Sequence, residues 1–447
     1  MKKLTLQLFN QGRWWDAAEL NFLGDDLSSP VRLSYLSAYI RDAAKYDTVD
    51  SWACSVNAPV SILPVDYPGW PSLLDDLLPV GKSRDWWLNY LDVSRQSIFS
   101  QNFALLTHAC TAPIGNLRIK ESVALVSGVN QKAFPLDAVV ALQHDFLEYA
   151  NEHGAAVGGA TGAVGVAPKL LLMVSGQLVY IDADFAGKPL NAIPYLTKFA
   201  RNQRTARDNH ILQAEGAFYQ ILAEVLQGTE IASLDASRMM VLEHEGQTSL
   251  WLPRFDVVVE EGKAVRLGME SIYSMLNAGP GSYQNHFAVM DAIWSKISHC
   301  TSMSSVDFAK QYLARDFLNV MFGNSDNHGR NISFLKSQGD IRFAPIYDFA
   351  PMKADPENIT RLFKWGEHFE MAGVVRFDKV VQQLAHYGSP SELLDFLIML
   401  SKPLLRLPEL LQQHGCPAEI INFPALGFYR VHEKLTELGV QHDKLVS

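Results

Sequence analysis

The stretch Gly323-Asn-Ser-Asp326-Asn-His-Gly-Arg-Asn331-Ile-Ser333 is followed by Ala344-Pro-Ile-Tyr-Asp348, and together they are the most informative part of this chain. Asn331 comes five positions after Asp326, and Asp348 comes after a short predicted hairpin. Phosphoryl transfer uses an Asp that orients or deprotonates the acceptor hydroxyl, an Asn that binds magnesium, and a second Asp that bridges metal and phosphates. The order and spacing therefore predict a kinase-type centre, with Asp326 as the base and Asn331 and Asp348 as magnesium ligands.

Each of these residues also has a simpler interpretation. Asp326 fits an Asx turn or a helix cap, and Asn331 and Asp348 fit turn residues that flank an ordinary hairpin. The three residues in this order are harder to obtain by chance, which favours the catalytic interpretation. His328 fits either a packing histidine or a group that binds the Asp326 loop or phosphate, and the sequence leaves both open.

Composition narrows the class of protein. The chain has 447 residues, of which 48% are hydrophobic, a length typical of about three domains. Its net charge of −10 disfavours charge-driven nucleic-acid binding, and the local basic cluster at 198–207 fits a solvated loop ahead of a helix. Neither a signal peptide nor a membrane-spanning run is evident. Four scattered cysteines fit a reduced environment, so we expect a folded cytoplasmic protein without membrane association.

The periodicity of apolar residues places strands mainly in the first half of the chain and helices mainly in the second. The predicted strands are 4–9, 60–63, 170–174, 178–183, 195–200, 238–243, 248–253, 257–260, 264–267, 332–335 and 341–344. The predicted helices that bear on the site are 136–152, 206–226 and 308–321. This order predicts an α+β, two-lobed protein-kinase-like fold with a strand-rich N-terminal half and a mostly helical C-terminal lobe. The expected domains are 1–125, 126–258 and 259–447.

The other half of a nucleotide cleft is predicted upstream. The glycine-rich segment 158–165 could bind phosphate through its backbone amides or could be a flexible linker. Lys198 could reach the α- and β-phosphates, with Glu215 on the next helix as its partner, or could be an exposed strand lysine. Phe255, just after the strand that ends at Pro253, could lie against a nucleotide base or pack in the core. No Walker-type sequence is present.

These combined residues resemble the HipA-like serine/threonine kinases, the toxin half of bacterial toxin–antitoxin pairs. The resemblance includes 73–79, 114–118, Gly165-Val-Ala-Pro-Lys169, Arg254-Phe-Asp256 and the two stretches quoted first. It implies an ATP- and Mg²⁺-dependent protein kinase, with domain 1–125 as its HipA-like N-terminal subdomain. The residues that would surround ATP are Gly162, Ala163, Val164, Gly165, Lys169, Lys198, Pro253, Phe255, His328 and Tyr347.

The resemblance also implies partners. The substrate would be a protein hydroxyl, an aminoacyl-tRNA synthetase being the known kind of target. A small helix-turn-helix antitoxin would restrain the kinase and bring it to operator DNA. The family loop commonly reads Gly-Val-Gln-Pro-Lys with an autophosphorylated serine upstream, whereas this chain has Ala167 and, upstream, Gly162 beside Thr161. That departure puts control by loop phosphorylation in doubt, while backbone amides can still hold phosphate.

Two other functions share part of this pattern. A small-molecule kinase of the aminoglycoside or choline type uses the same Asp, Asn and Asp, although the long N-terminal segment with its 73–79 element favours the toxin family. An inactive pseudokinase could act by binding an antitoxin-like DNA-binding protein, which the intact Asp326, Asn331, Asp348 and Lys198 set disfavours.

Overall fold

The N-terminal part is built on an antiparallel sheet. The computed structural model describes residues 2–45, 49–110, 114–124, 132–152, 169–182, 191–200, 205–260, 263–337 and 339–440. The elements of this part are β1 (Lys2–Asn10), β2 (Arg13–Phe22), β3 (Val31–Tyr35), α1 (Ser37–Ala43), α2 (Val49–Trp52), β4 (Val65–Tyr67), α3 (Gly81–Tyr90), α4 (Ile98–Ala109), β5 (Leu117–Ile119) and α5 (Lys120–Ala124). The strand order is β4-β3-β2-β1-β5 among the described residues. Leu4, Leu6 and Leu8 of β1 alternate into the core, because successive strand side chains point to opposite faces.

The predicted strand at 60–63 is wrong. Pro59 and Pro64 flank this segment, and each lacks the backbone N–H that a sheet ladder needs. Ile62 and Leu63 are exposed, and the strand forms instead at Val65–Tyr67.

The middle part carries a larger sheet. Its elements are β6 (Phe134–Pro135), α6 (Leu136–Val140), α7 (His144–Glu152), β7 (Lys169–Ser175), β8 (Leu178–Ile181), β9 (Ile193–Phe199), α8 (Ala206–Val225), β10 (Met240–His244) and β11 (Gln247–Pro253). The described strands lie in the order β10-β11-β9-β7-β8-β6. A capping box at Thr205 and Asp208 begins α8, and Gly216 lets this helix approach Val241 of β10 and Leu250 of β11 closely. The hairpin, strands and long helix predicted here are confirmed.

The single helix predicted over 136–152 is two helices. The chain turns between α6 and α7, where Leu142 takes a positive φ of 52°. The turn lets Val139 and Phe146 both reach the core from separate helices. Helical spacing alone marks the buried face but not this change of direction.

The C-terminal part is mostly helical, as predicted. Its elements are β12 (Val257–Glu260), β13 (Lys263–Arg266), β14 (Gly268–Ser271), α9 (Ile272–Leu276), β15 (Gln284–Asn285), α10 (His286–Ile297), α11 (Ser305–Phe322), β16 (Ser333–Ser337), β17 (Asp340–Phe343), β18 (Phe363–Lys364), β19 (Glu370–Met371), β20 (Val374–Val375), α12 (Phe377–Gln383), α13 (Pro390–Leu404), α14 (Leu407–Gln413), α15 (Ala418–Ile421) and α16 (Val431–Glu437). Most of α11 is buried at the centre of this core. No described helix has the length and apolar character required to span a bilayer.

The N-terminal and C-terminal parts meet at strand β14. Glu270 accepts hydrogen bonds from Ser55 Oγ (2.5 Å) and Val56 N (3.0 Å) of the N-terminal part. Asp76 accepts hydrogen bonds from the backbone N–H (2.9 Å) and hydroxyl (2.7 Å) of Ser271. Helix α8 of the middle part shares one hydrophobic core with the C-terminal helices. The domain boundaries given above stay a prediction.

Candidate active site

Two lysines and two carboxylates form a buried cluster between the middle and C-terminal parts. Lys169 of β7 pairs with Lys198 of β9 in the sheet register, which places the two side chains next to each other. Lys198 Nζ lies 2.5 Å from Glu215 Oε1 and 2.5 Å from Asp348 Oδ1. Lys169 Nζ donates to both oxygens of Asp348, at 3.0 and 3.1 Å. The predicted Lys198–Glu215 pair is therefore present, and Lys198 is not an exposed strand lysine.

The charges in this cluster hold each other ionised. Burial raises the pKa of Asp348, but Lys169 and Lys198 outweigh it and leave that pKa well below its ordinary value. Burial lowers the pKa of Lys198, yet Asp348 and Glu215 leave it above its ordinary value. Burial dominates for Lys169, whose pKa stays lowered. Lys198 is thus the more firmly protonated of the two lysines.

Backbone and side-chain contacts hold the Asp348 segment in place. Asp348 itself has a φ of 53°, a conformation that Asp adopts more readily than most residues. Asn324 Nδ2 donates to the Asp348 carbonyl at 3.2 Å. Tyr219 of α8 accepts from Phe349 N at 3.2 Å and donates to Glu215 Oε1 at 3.0 Å. The position of Asp348 therefore depends on both α8 and the Asp326 loop.

The Asp326 loop begins where α11 ends at Gly323, which has a φ of 71°. Asp326 keeps some exposure, with 13% of its side-chain surface accessible. His328 Nδ1 accepts from Arg330 N at 3.3 Å. Its Nε2 lies 3.2 Å from Asp326 Oδ1 but makes no hydrogen bond among the described residues. His328 also stacks on Tyr273 at 6.2 Å between ring centroids. His328 therefore lies beside the Asp326 carboxylate, and its contact with the nucleotide stays a prediction.

Two adjoining cavities contain most of the predicted site. The larger, about 640 Å³, is lined by both lysines, Glu215, Asp326 and Asp348 among others. The other, about 400 Å³, is lined by both lysines and Asp348 together with Pro253, Phe255 and Tyr347. The rings of Phe255 and Tyr347 are 5.7 Å apart and tilted by 33°. Gly162, Ala163, Val164 and Gly165 lie outside the described residues, and His328 lines neither cavity.

Comparison with known proteins identifies the family of this chain. The family described as the HipA-like C-terminal domain matches residues 161–396, more than half of the sequence. The chain belongs to the HipA-like family. The solved complex of the Shewanella oneidensis MR-1 toxin–antitoxin system, with HipA, HipB and operator DNA, aligns with a TM-score of 0.60 at 18% identity, over 97% of this chain and 95% of that chain. The two-lobed HipA-like fold predicted from the sequence is thereby confirmed.

Two other proteins show weaker similarity. The Escherichia coli K12 protein named Toxin YjjJ is 24% identical over 177 residues, which are 39% of this chain and 37% of that protein. This HipA-like chain therefore matches only about a third of the length of its curated relative. The proinflammatory kinase CtkA of Helicobacter pylori aligns with a TM-score of 0.38 at 14% identity, over 63% of this chain and 92% of that chain.

The predicted metal ligands of this HipA-like chain fit a magnesium ion in their chemistry. Asn331 Nδ2 donates to the Asp326 carbonyl at 2.6 Å, while Asn331 Oδ1 is buried and has no hydrogen-bond partner among the described residues. Such an orphaned oxygen is expected where a ligand completes the site. Asn331 lines neither of the two cavities that Asp348 lines, but a smaller pocket of about 330 Å³ with Arg315 and Ser333. Its amide nitrogen joins it to the Asp326 loop. Amide and carboxylate oxygens are hard ligands of the kind magnesium takes with phosphate.

Sequence reasoning quoted Arg254 and Asp256 without giving their charges a role, and it missed Asp182 and Asp316. Arg254 binds Asp182 and Asp256 in a buried network, and Asp256 also accepts from Gly115 N at 2.7 Å. Asp316 lies next to Arg315 in α11, and both charged side chains are buried. Two adjacent charged residues between the apolar runs 312–314 and 317–318 are the signal that could have found Asp316, because charged residues are rarely buried without partners.

Proposed function

We propose that this chain is an ATP- and Mg²⁺-dependent serine/threonine protein kinase and the toxin of a type II toxin–antitoxin system, acting in the cytoplasm. One observation carries the proposal: Lys198 bridges Glu215 and Asp348 in the same cavity that Asp326 lines. That combination supplies a fixed cation for phosphate beside a carboxylate able to accept a hydroxyl proton. Membership of the HipA-like family supports the same function.

Each residue of the site would have a separate role in phosphoryl transfer. Lys198, held by Glu215, would bind the α- and β-phosphates, and Lys169 would add positive charge beside them. Asp326 would take the proton from the acceptor hydroxyl as the oxygen of that hydroxyl attacks phosphorus. These groups are fixed before the reaction, so little reorganisation is required.

Asn331 and Asp348 would hold the magnesium ion. When bound, magnesium neutralises charge on the transferred phosphoryl group. Asp348 already accepts from both lysines, so it presents its carboxylate ionised. The aromatic pair Phe255 and Tyr347 lines the neighbouring cavity, where the adenine ring would lie.

The proposed partners follow from the family. The Shewanella relative is seen in complex with HipB and operator DNA. For this chain we propose a small helix-turn-helix antitoxin, contact with DNA through that antitoxin alone, and a protein substrate such as an aminoacyl-tRNA synthetase.

The direct test is phosphate transfer by the purified chain, followed by intact mass and radiolabel. Wild type should transfer phosphate from ATP to a protein hydroxyl, whereas Asp326→Asn and Asp348→Asn should not. Asp291→Asn is the matched control, since this exposed carboxylate contacts His386 and Tyr387 and lines neither site cavity. Transfer by both site variants at the wild-type rate would refute the assignment, and transfer only to an aminoglycoside or choline would point to a small-molecule kinase.

A further inference from the structure

Asp316 is a buried carboxylate in the helix that precedes the loop of the proposed base. It lies in α11, ten positions before Asp326, and only 1% of its surface is exposed. Burying a carboxylate costs several kcal/mol unless charged and hydrogen-bonding partners surround it. The partners of Asp316 therefore indicate what this residue does.

One set of partners belongs to the segment that follows Asp348. Arg361 Nη2 donates to both oxygens of Asp316, at 2.8 and 3.1 Å, and Trp365 Nε1 donates to Oδ2 at 2.7 Å. Glu370 holds the same two residues from the other side, at 3.0 Å from Arg361 Nε and 3.2 Å from Trp365 N. His286 Nε2 lies 3.5 Å from Asp316.

The other partner is Asn327, the residue next to Asp326. Asn327 Nδ2 donates to Asp316 Oδ1 at 2.8 Å. The remaining groups of Asn327 bind the later segment: its side-chain oxygen accepts from Phe363 N at 3.1 Å, and its carbonyl accepts from Leu362 N at 3.2 Å. Asp316 and Asn327 thus join the Asp326 loop to residues 361–370 through both side chains and backbone.

The charge state of Asp316 supports a fixed arrangement. Burial raises its pKa, but the charges of Arg361 and His286 and the hydrogen bonds that it accepts outweigh burial and leave the pKa well below its ordinary value. The carboxylate is therefore ionised throughout the physiological range. Charge-assisted hydrogen bonds of this kind are shorter and stronger than neutral ones.

We propose that Asp316 is a positioning residue that clamps the Asp326 loop, through Asn327, to Arg361 and Trp365, and so sets the geometry of the catalytic carboxylate. The rate of transfer then depends on Asp316 although it touches neither nucleotide nor acceptor. The effect on rate rests on the proposed kinase function, whereas the clamp itself does not.

The experiment compares three variants of the full chain. Asp316→Asn keeps the shape and removes the charge. Asn327→Ala removes the hydrogen bond between the Asp326 loop and Asp316 but leaves the Asp316–Arg361 ion pair. Glu370→Gln is the matched control, because it weakens the same Arg361 and Trp365 from the side away from the loop. Hydrogen exchange at the Leu362 and Phe363 amides, kcat, and KM for ATP are measured on each.

Asp316→Asn and Asn327→Ala should exchange the Leu362 and Phe363 amides about tenfold faster. They should also lose about 100-fold in kcat with little change in KM for ATP, because a small displacement of a catalytic group is costly. Glu370→Gln should keep kcat. Wild-type exchange and kcat in Asn327→Ala would overturn the proposal, as would an equal loss of kcat in Glu370→Gln. If Asp316→Asn does not fold, Asn327→Ala decides. If the wild-type chain transfers no phosphate, the kinase proposal fails while exchange still tests the clamp.

Discussion

Neutralising Asp348 should destabilise the chain in the absence of nucleotide, and removing one lysine should reverse much of the loss. Lys169, Lys198, Glu215 and Asp348 are each at most 9% exposed, and their formal charges cancel. Asp348→Asn removes the carboxylate that both buried lysines contact. Breaking a buried ion pair from one side costs about 3–5 kcal/mol. At about 2.1 cal/mol/K per residue, the unfolding entropy of a 447-residue chain is about 1 kcal/mol/K, so Tm should fall by roughly 3–5 °C.

The double variant Lys169→Met/Asp348→Asn tests the charge argument directly. It leaves only the neutral Lys198–Glu215 pair, so it should be at least about 2 kcal/mol more stable than Asp348→Asn alone. Asn is the suitable replacement at 348 because it tolerates the positive φ there. Urea and thermal unfolding at pH 7.5 without nucleotide or metal measure the unfolding free energies of the two single variants and of the double variant. If the two substitutions together cost the sum of the separate losses, the charge-balance reasoning is wrong.

Three further outcomes are expected. Asp326→Asn should lower the rate of phosphate transfer at least about 100-fold while ATP still raises Tm, because a general base acts in the reaction and not in binding. Burial raises the pKa of Asp76 to about 7, so the folded state binds more protons than the unfolded state between about pH 4 and 7 and stability falls as pH rises through that range. Asp76→Asn should remove roughly 2–3 kcal/mol of the difference in unfolding free energy between pH 5 and 8, measured in urea. Gly323→Ala should lower the free energy of unfolding in urea by about 2–4 kcal/mol. The backbone at this position has a positive φ, which disfavours a Cβ, and the added Cβ would collide with the side chain of Leu426.

Each of these outcomes has its own control. Asp326→Asn is compared with Asp291→Asn, and a loss of ATP-induced stabilisation in the former would mean that Asp326 acts in binding. A pH dependence in Asp76→Asn that matches wild type would assign that dependence to another group. Gly415 has nearly the same φ as Gly323, 72° against 71°, but an added Cβ there has no atom within 4 Å. Gly415→Ala should therefore lower the free energy of unfolding by only about 1 kcal/mol. Equal losses at 323 and 415 would show that contact with Leu426 does not matter.

Local pattern was sufficient for much of the fold. Short continuous apolar runs on either side of the turn 175–177 mark β7 and β8. Helical spacing marks α8, because a period of 3.6 follows from backbone geometry alone. The pattern was misleading at 60–63 and 136–152. In both places a backbone feature, the flanking prolines or the turn at Leu142, overrode a plausible run of apolar residues.

The sequence by itself determined the order Asp326, Asn331 and Asp348, since the spacing of chemically required residues is a local property. Only the tertiary structure decided that Lys198 is buried and also bound to Asp348, because Asp348 is 150 positions away in the sequence. It also decided that Asp316 supports the loop, through Arg361, 45 positions later. The physical reason is the same in both cases. A charged side chain is stable in the interior only when the fold brings an opposite charge to it. The residues next to it in the sequence do not show which distant residue supplies that charge.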